Sequence, residues 1–443
     1  MSLKRRGVFS WCLYDWANSA FILTVVTGFF PLFFNSYYTG ANVGVVQTTA
    51  WLGLANTIAG ASIAVLSLIL GALADFLGGK KRFLAIFMAL GALCTASLFF
   101  VAQGAWFLAL TLFILGNIGF ACANLFYDSL LVDVAEENEM DFVSSMGFAF
   151  GYIGGVALFA FCVWMMFRPA VFGLASEAQA VKISFLCVAA WWTAFSVPLF
   201  LFVKEKRVKT PSKAVNLVIN ILNALRSLGA IWRTFVAIIK NPTLLLFLLA
   251  YWLYFDGVNT FIRMSVDFGL SIGFQPNSLM VALIVVQLIA FPSSLLFGYL
   301  SPRVGTVRMI MAGVVIYILI SGFGALLMRT EAHFIVLAGI SGLAQGGIQA
   351  LSRSYFGKLI PAAEATEYFS FYNVVGRFAV LGPTVIGLMA VIARRGFGAP
   401  EALASRVGMS SVNLFFISGL IVLIWAERAR KRSLVGKING SGT

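Results

Sequence analysis

The chain has 443 residues, 60% of them hydrophobic and 11% charged, with a formal net charge of +14. A soluble domain carries about a quarter charged residues, so this composition excludes an ordinary soluble fold and points to a chain that crosses a bilayer many times. The basic excess does not mark a nucleic-acid binder, because it is gathered in short clusters between apolar stretches.

A bilayer core takes about 20 apolar residues per helix. Twelve such stretches are predicted, near 8–34, 50–76, 83–102, 106–134, 143–167, 183–203, 243–268, 278–300, 307–328, 333–357, 368–393 and 409–426. Leu, Phe, Ile and Ala outweigh any period-2 alternation within them, which favours helices over a β-barrel. The expected fold is an all-α polytopic membrane protein of twelve transmembrane helices. They form two pseudo-symmetric six-helix bundles, 1–203 and 243–443 with a basic tail, joined by a cytoplasmic linker at 204–242.

The clusters set the topology. Lys4, Arg5 and Arg6 precede span 1, and Lys80, Lys81 and Arg82 follow span 2. The stretch 204–240 holds eight more basic residues, and Arg428, Arg430, Lys431 and Arg432 follow span 12. An even number of spans puts both termini and the linker on one side, and the positive-inside rule makes that side cytoplasmic. Contact with anionic lipid accounts for the rest of the excess. Lys4–Arg6 before an apolar run also resembles a signal peptide, but the run is too long and carries Asp15, so it is expected to remain as an uncleaved span.

Span 1 contains "YDWANSAF" (14–21), with Asp15 about 9 residues, or roughly 13 Å of helix rise, beyond Arg6. A charge at that depth costs a few kcal/mol or more, so it is expected to face a cavity or a partner. Asn18 and Ser19 share its helix face. After span 2, Gly71, Asp75 and Gly78 lead into Lys80 and Lys81. Asp75 at the cytoplasmic surface is placed to meet a helix N-terminus or a basic side chain of the other half. The two glycines permit close approach, so this loop is read as a gate; a solvated turn with topogenic lysines is the alternative.

Span 4 carries Asn117, Asn124 and Asp128 at helical spacing. An acidic run follows, Asp133, Glu136, Glu137, Glu139 and Asp141, expected to be mostly solvated with some pairing to nearby basic loops. Gly147, Gly151 and Gly155 on span 5 make a packing stripe. In the linker, Asn216–Arg226 repeats apolar residues at helical spacing and suits a helix lying on the membrane surface or a soluble linker helix. Span 7 places Asp256, Asn259, Thr260, Arg263 and Asp267 along one face. His333, the single histidine, sits at the outer end of span 10 as an interface residue. Span 10 carries Gln345, Gln349 and Arg353, each four apart, beside a second small-residue stripe at Gly342, Gly346 and Ala350. Span 11 carries Arg377, suited to a substrate carboxylate or a buried Asp. The five cysteines fall inside spans without metal-like spacing, and no metal or cofactor is expected.

The two halves repeat. Trp11-x₃-Asp15-x₂-Asn18-Ser19 returns as Trp252-x₃-Asp256-x₂-Asn259-Thr260, and Gly71-x₆-Gly78 returns as Gly298-x₆-Gly305. Both matches fall at corresponding spans, the mark of a duplicated carrier that rocks around a central site.

"GALADFLGGKKR" (71–82) resembles the loop signature of the major facilitator superfamily. "YDWANSAF", "QGGIQALSRS" (345–354) and "FYNVVGRFAVLGP" (371–383) resemble the vacuole-effluxer-like branch of that superfamily. The resemblance implies alternating access, with spans 1, 4, 7 and 10 lining the cavity, and fungal members implicated in releasing amino acids from vacuoles. Two departures stand out: Phe76 and Gly79 replace customary basic residues, and Pro302 occupies the carboxylate position of the second loop, leaving that loop in doubt as a latch.

Three roles are open to Asp15 and its mirror Asp256: binding a substrate ammonium, carrying a proton, or pairing with Arg263, Arg353 or Arg377. The flanking rings (Tyr14, Trp16, Tyr251, Trp252, Tyr254, Phe255) suit either a cation cradle or helix packing. No HExxH, GxSxG, P-loop or paired Cys/His site supports an enzyme. The expected function is secondary transport of a small solute, an amino acid for instance, coupled to protons. The alternatives are an exporter or flippase of amphiphiles and a non-transporting receptor. A monomer in the bacterial inner membrane is expected.

Overall fold

The computed structural model describes residues 3–40, 43, 45–205, 229, 231–271, 273–377 and 381–440. Among the described residues, twelve helices are long and apolar enough to cross a membrane. The first six are Arg5–Tyr38, Ala50–Asp75, Lys80–Phe100, Trp106–Val134, Met140–Phe167 and Glu177–Phe202. The second six are Pro242–Ile262, Ile284–Val304, Thr306–Gly324, Glu331–Leu359, Ala362–Phe397 and Leu403–Arg432. With no water in the bilayer core, a helix is how a single apolar run satisfies its own backbone. These twelve are numbered spans 1–12 in chain order.

Local chemistry sets the joints. Spans 2 and 3 meet at Gly78 (φ +70°) and Gly79 (φ +87°), a left-handed conformation that costs glycine little. Ser176 caps span 6 by accepting from the Gln179 amide, and Thr330 caps span 10 by accepting from the His333 amide. Span 1 is α-helical over Leu3–Ala20 and then widens into π turns over Phe21–Phe29 and Phe34–Tyr38. Span 11 is described as two helices, Ala365–Arg377 and Leu381–Phe397. Of the linker, a helix is described over 231–240, whereas Asn216–Arg226 lies outside the described residues.

Packing divides the described residues into two compact units. The first draws on Met1–Glu137, Met146–Leu228 and Pro361–Ser370; the second on Asn138–Ser145, Gly229–Ile360 and Phe371–Thr443. Each unit therefore includes a short segment from the other half of the sequence: the start of span 11 in the first, the start of span 5 in the second.

Small residues decide how closely helices approach. In the first unit, a Cβ at Gly154 would lie 2.5 Å from the Trp16 carbonyl oxygen, and one at Gly151 would lie 2.6 Å from Ser19 Oγ. In the second, a Cβ at Gly342 or Gly346 would lie 2.6 Å from the carbonyl oxygen of Val286 or Ala290. Both stripes are packing seams. The span 1 rings join the same core: Trp11 stacks on Tyr127 at 4.5 Å, and Trp16 stacks on Trp191 at 5.7 Å. Gly154→Leu is expected to cost about 1–3 kcal/mol through overpacking, read as a lower melting temperature in detergent. Gly53→Leu, at a position with nothing within 4 Å of an added Cβ, is the control and should leave the transition in place.

Candidate functional site

In the first unit the polar groups of spans 1 and 4 meet. The Tyr127 hydroxyl donates to the Asp15 carboxylate at 2.8 Å, and the Trp11 indole donates to the Tyr127 carbonyl at 3.0 Å. One turn further on, the Asn18 amide donates to Asn124 Oδ1 at 2.7 Å. Asp15 is 8% exposed. Gly147 lets the chain close over it, since a Cβ there would lie 2.9 Å from Asp15 Oδ2. Asn124 and Asp128, four residues apart on span 4, are half-buried, whereas Asn117 donates to the Phe113 carbonyl of its own helix.

In the second unit, Asp256 has no exposed surface. Of the surroundings expected for a buried acid, a cavity or a partner, it has partners in this conformation. The amides of Leu381 and Gly382 donate to the two Asp256 carboxylate oxygens at 3.2 and 3.3 Å, and the Thr260 hydroxyl adds a bond at 3.2 Å. Hydrogen bonds from backbone amides to an ionised carboxylate are among the strong ones. Gly382 is needed because Thr260 occupies the space a side chain would take. Asn259 is half-buried, and the side chain of Arg263 lies outside the described ones.

The span 10 residues do not act as one stripe. Gln345 is buried and Gln349 half-buried. Arg353 is buried lower down, where its Nε donates to Ser144 Oγ and its terminal nitrogen to the Ser144 carbonyl, both at 3.0 Å. Eight residues of helix separate it from Gln345 by about 12 Å, so the shared spacing spans two layers. Arg377 ends the helix Ala365–Arg377 and is exposed.

The loop after span 2 holds the start of span 11. The Asp75 carboxylate accepts from the amides of Thr366 at 3.3 Å and Glu367 at 2.7 Å. A Cβ at Gly71 would lie 2.8 Å from Ser370 Cβ, so only glycine fits there. Lys80 is buried and pairs with Asp133 at 3.1 Å. Lys81 donates to the carbonyls of Phe200 and Val203 at 3.0 and 2.7 Å, neutralising the C-terminal end of span 6.

The acidic run 133–141 divides. Glu136, Glu137 and Glu139 are exposed. Asp141 is 2% exposed and forms an ion pair with Lys358 at 2.7 Å, so it is one of the paired members of the run. The sequence also gave no sign of Tyr127 as the partner of Asp15. Among the described residues, no group of three or more His, Cys, Asp and Glu side chains is placed to hold a metal ion.

The profile of the family described as Vacuole effluxer Atg22 like matches residues 3–434. The chain belongs to this family. This Atg22-like chain is 37% identical over 416 residues to the uncharacterized MFS-type transporter YxiO of Bacillus subtilis (strain 168), with 94% of this chain and 93% of the relative aligned. It is 21% identical over 449 residues to autophagy-related protein 22 of Eremothecium gossypii, covering 88% of this chain and 86% of that one. Its fold is similar to the proton:xylose symporter XylE, with a TM-score of 0.66 at 12% identity over 94% of each chain. It is also similar to FucP in its outward conformation, with a TM-score of 0.64 at 14% identity, covering 96% of this chain and 98% of that one. The Atg22-like chain is thus a multi-pass transporter of the major facilitator superfamily.

Tyr127→Phe removes the phenol donor to Asp15 and is expected to cost about 1–3 kcal/mol, measured as a lower melting temperature. In an Asp15→Asn background the further loss should shrink, because the two groups interact directly.

Proposed function

We propose that this transporter moves a small polar or zwitterionic solute, an amino acid by preference, coupled to protons, by alternating access across the bacterial inner membrane. The observation that carries the reading is the pair of carboxylates at mirrored positions of spans 1 and 7, each hydrogen-bonded within its own unit. Ionisable groups in the span interior are costly, and they mark substrate or ion pathways and proton relays. A proton on Asp256 removes the charge that faces the amides of Leu381 and Gly382, and so loosens its hold on span 11. A proton on Asp15 weakens its hold on Tyr127. Asp128 suits an ammonium group, and Arg377 suits a carboxylate. Resemblance to vacuole effluxers supports the choice of amino acids.

Asp75 serves as the cytoplasmic gate in this reading. Span 11 is held at two places, by Asp75 at Thr366 and Glu367 and by Asp256 at Leu381 and Gly382. Release of the first contact opens the cytoplasmic side, and protonation at the second links that opening to the proton gradient. The transporter acts as a monomer with both termini in the cytoplasm.

One observation favours a second reading, an exporter of amphiphiles. A cavity of about 320 Å³ in the second unit is lined by apolar side chains, including Phe235, Ile238, Leu248, Trp252, Phe371 and Val375. A hydrocarbon tail fits such a lining better than a zwitterion does.

A thermal-shift screen of amino acids against amphiphiles separates the two. Under the first reading an amino acid raises the melting temperature, and Asp15→Asn and Asp256→Asn each abolish pH-driven uptake of that amino acid in proteoliposomes while the folded protein is retained. Stabilisation by amphiphiles alone, or full pH-driven uptake by both variants, would reject the first reading.

A further inference from the structure

The two copies of the Gly-x₆-Gly loop can be placed in register by what each first glycine touches. A Cβ at Gly71 would lie 2.8 Å from Ser370 Cβ and 2.9 Å from its Oγ; a Cβ at Gly298 would lie 2.5 Å from Ser145 Cβ and 2.6 Å from its Oγ. Ser370 near the start of span 11 and Ser145 near the start of span 5 are therefore equivalent. Four residues after each glycine stand Asp75 and Pro302. Four residues before each serine stand Thr366 and Asp141. In the first copy the acid is on the glycine side, and the residue opposite, Thr366, gives its amide to it. In the second copy the glycine side has Pro302, which offers no side-chain acceptor, and the acid is on the serine side.

The surroundings of Asp141 are rebuilt to match. Ser301, next to Pro302, donates its hydroxyl to Asp141 Oδ2. Thr306 donates to the same oxygen at 2.6 Å, Ser354 donates to Oδ1 at 2.6 Å, and Lys358 pairs with Oδ1 at 2.7 Å. The loop that supplies the acceptor in the first copy supplies hydroxyl donors in the second. The segment is held further by Arg353 on Ser144 and by the Ser294 hydroxyl, which donates to the Ser145 carbonyl at 2.8 Å. Both contacts lie within one compact unit each, on the short segments 361–370 and 138–145 that come from the opposite sequence half.

We infer that Asp141 is the latch acid of the second copy, a positioning residue for the transport cycle whose charge has moved across the contact from the place now held by Pro302. The inference rests on the gate reading of Asp75. It assigns a conformational role to a residue outside the loop signature, and it makes the two loops equal partners. Opening the cytoplasmic side requires both segments to leave, one by breaking a carboxylate–amide contact and the other by breaking a carboxylate–lysine–hydroxyl cluster.

The test transplants the charge back. Asn124→Cys reports access from the cytoplasmic side through its labelling rate with a membrane-impermeant maleimide in inside-out vesicles, with the unsubstituted protein as background. Asp75→Asn is expected to raise the rate several-fold, and no change there would overturn the gate reading itself. Given that rise, Asp141→Thr is expected to raise the rate to a similar extent. Pro302→Asp alone should also raise it, by facing a second carboxylate towards Asp141. The double variant Asp141→Thr/Pro302→Asp, which copies the first loop, should return the rate to within about twofold of the parent. A rise with Asp75→Asn but none with Asp141→Thr, or no recovery in the double variant, would overturn the role of Asp141 and leave the gate reading standing. Should Asp141→Thr fail to give a folded protein, Ser301→Ala/Thr306→Val keeps the acid and removes two of its donors; an unchanged rate there would overturn the inference, and a raised rate would support it.

Discussion

A carboxylate shut away from water has no solvent to stabilise it, so it persists where protein donors surround it. The start of a helix is the densest source of such donors, with several amides free of intrahelical acceptors and aligned dipoles behind them. Asp75 uses that source directly, on Thr366 and Glu367, and Asp256 accepts from the backbone amides of Leu381 and Gly382. Asp141 lies in the first turn of its own helix, where the dipole favours it, and takes its hydrogen bonds from side-chain hydroxyls and Lys358. Asp15 relies on a phenol. In every case the acid ties one helix to another.

Features that depend on the local chain were legible in the sequence. Each span follows from about 20 apolar residues in a row, and the turn at Gly78 and Gly79 follows from residues that tolerate a left-handed backbone. The internal repeat matches Asp256 to Asp15 at the equivalent position of span 7. Partnerships across the fold were less legible, because spacing along one helix says nothing of what faces it. Tyr127 is remote from Asp15 in sequence and carries no motif. Asp141 looked like the tail of a solvated acidic run because its neighbours Glu136, Glu137 and Glu139 are exposed, yet it begins a helix that is buried at once. Arg353 follows Gln349 by one turn but lies in a lower layer, against Ser144. The amides of Leu381 and Gly382 lie within an apolar run that carries no local sign of a carboxylate partner.

Span 11 brings these threads together. Its first helix begins where Asp75 accepts two amides, and Asp256 accepts two more further along, at Leu381 and Gly382. An acceptor that loses its charge loses much of its attraction for a helix dipole without any change in shape. A proton can therefore shift the balance of such a contact while the surrounding packing stays intact, a discrete change of the kind that two-state elements require.

The two glycine loops show which properties of a contact are fixed and which can be relocated. Shape is fixed: at both Gly71 and Gly298 a Cβ would collide with a serine of the facing helix, so neither position admits a larger residue without moving a backbone. Charge is less tightly bound to position, because an attraction across a contact needs an acceptor and a donor but is indifferent to which side holds which. The first loop has its acid four residues after the glycine; in the second the acid stands four residues before the serine, and Ser301 and Thr306, on either side of Pro302 in the chain, donate to it. Under the latch proposal, a duplicated carrier can lack the signature acid of one loop and keep the contact, provided the geometry that brings the two backbones together is preserved.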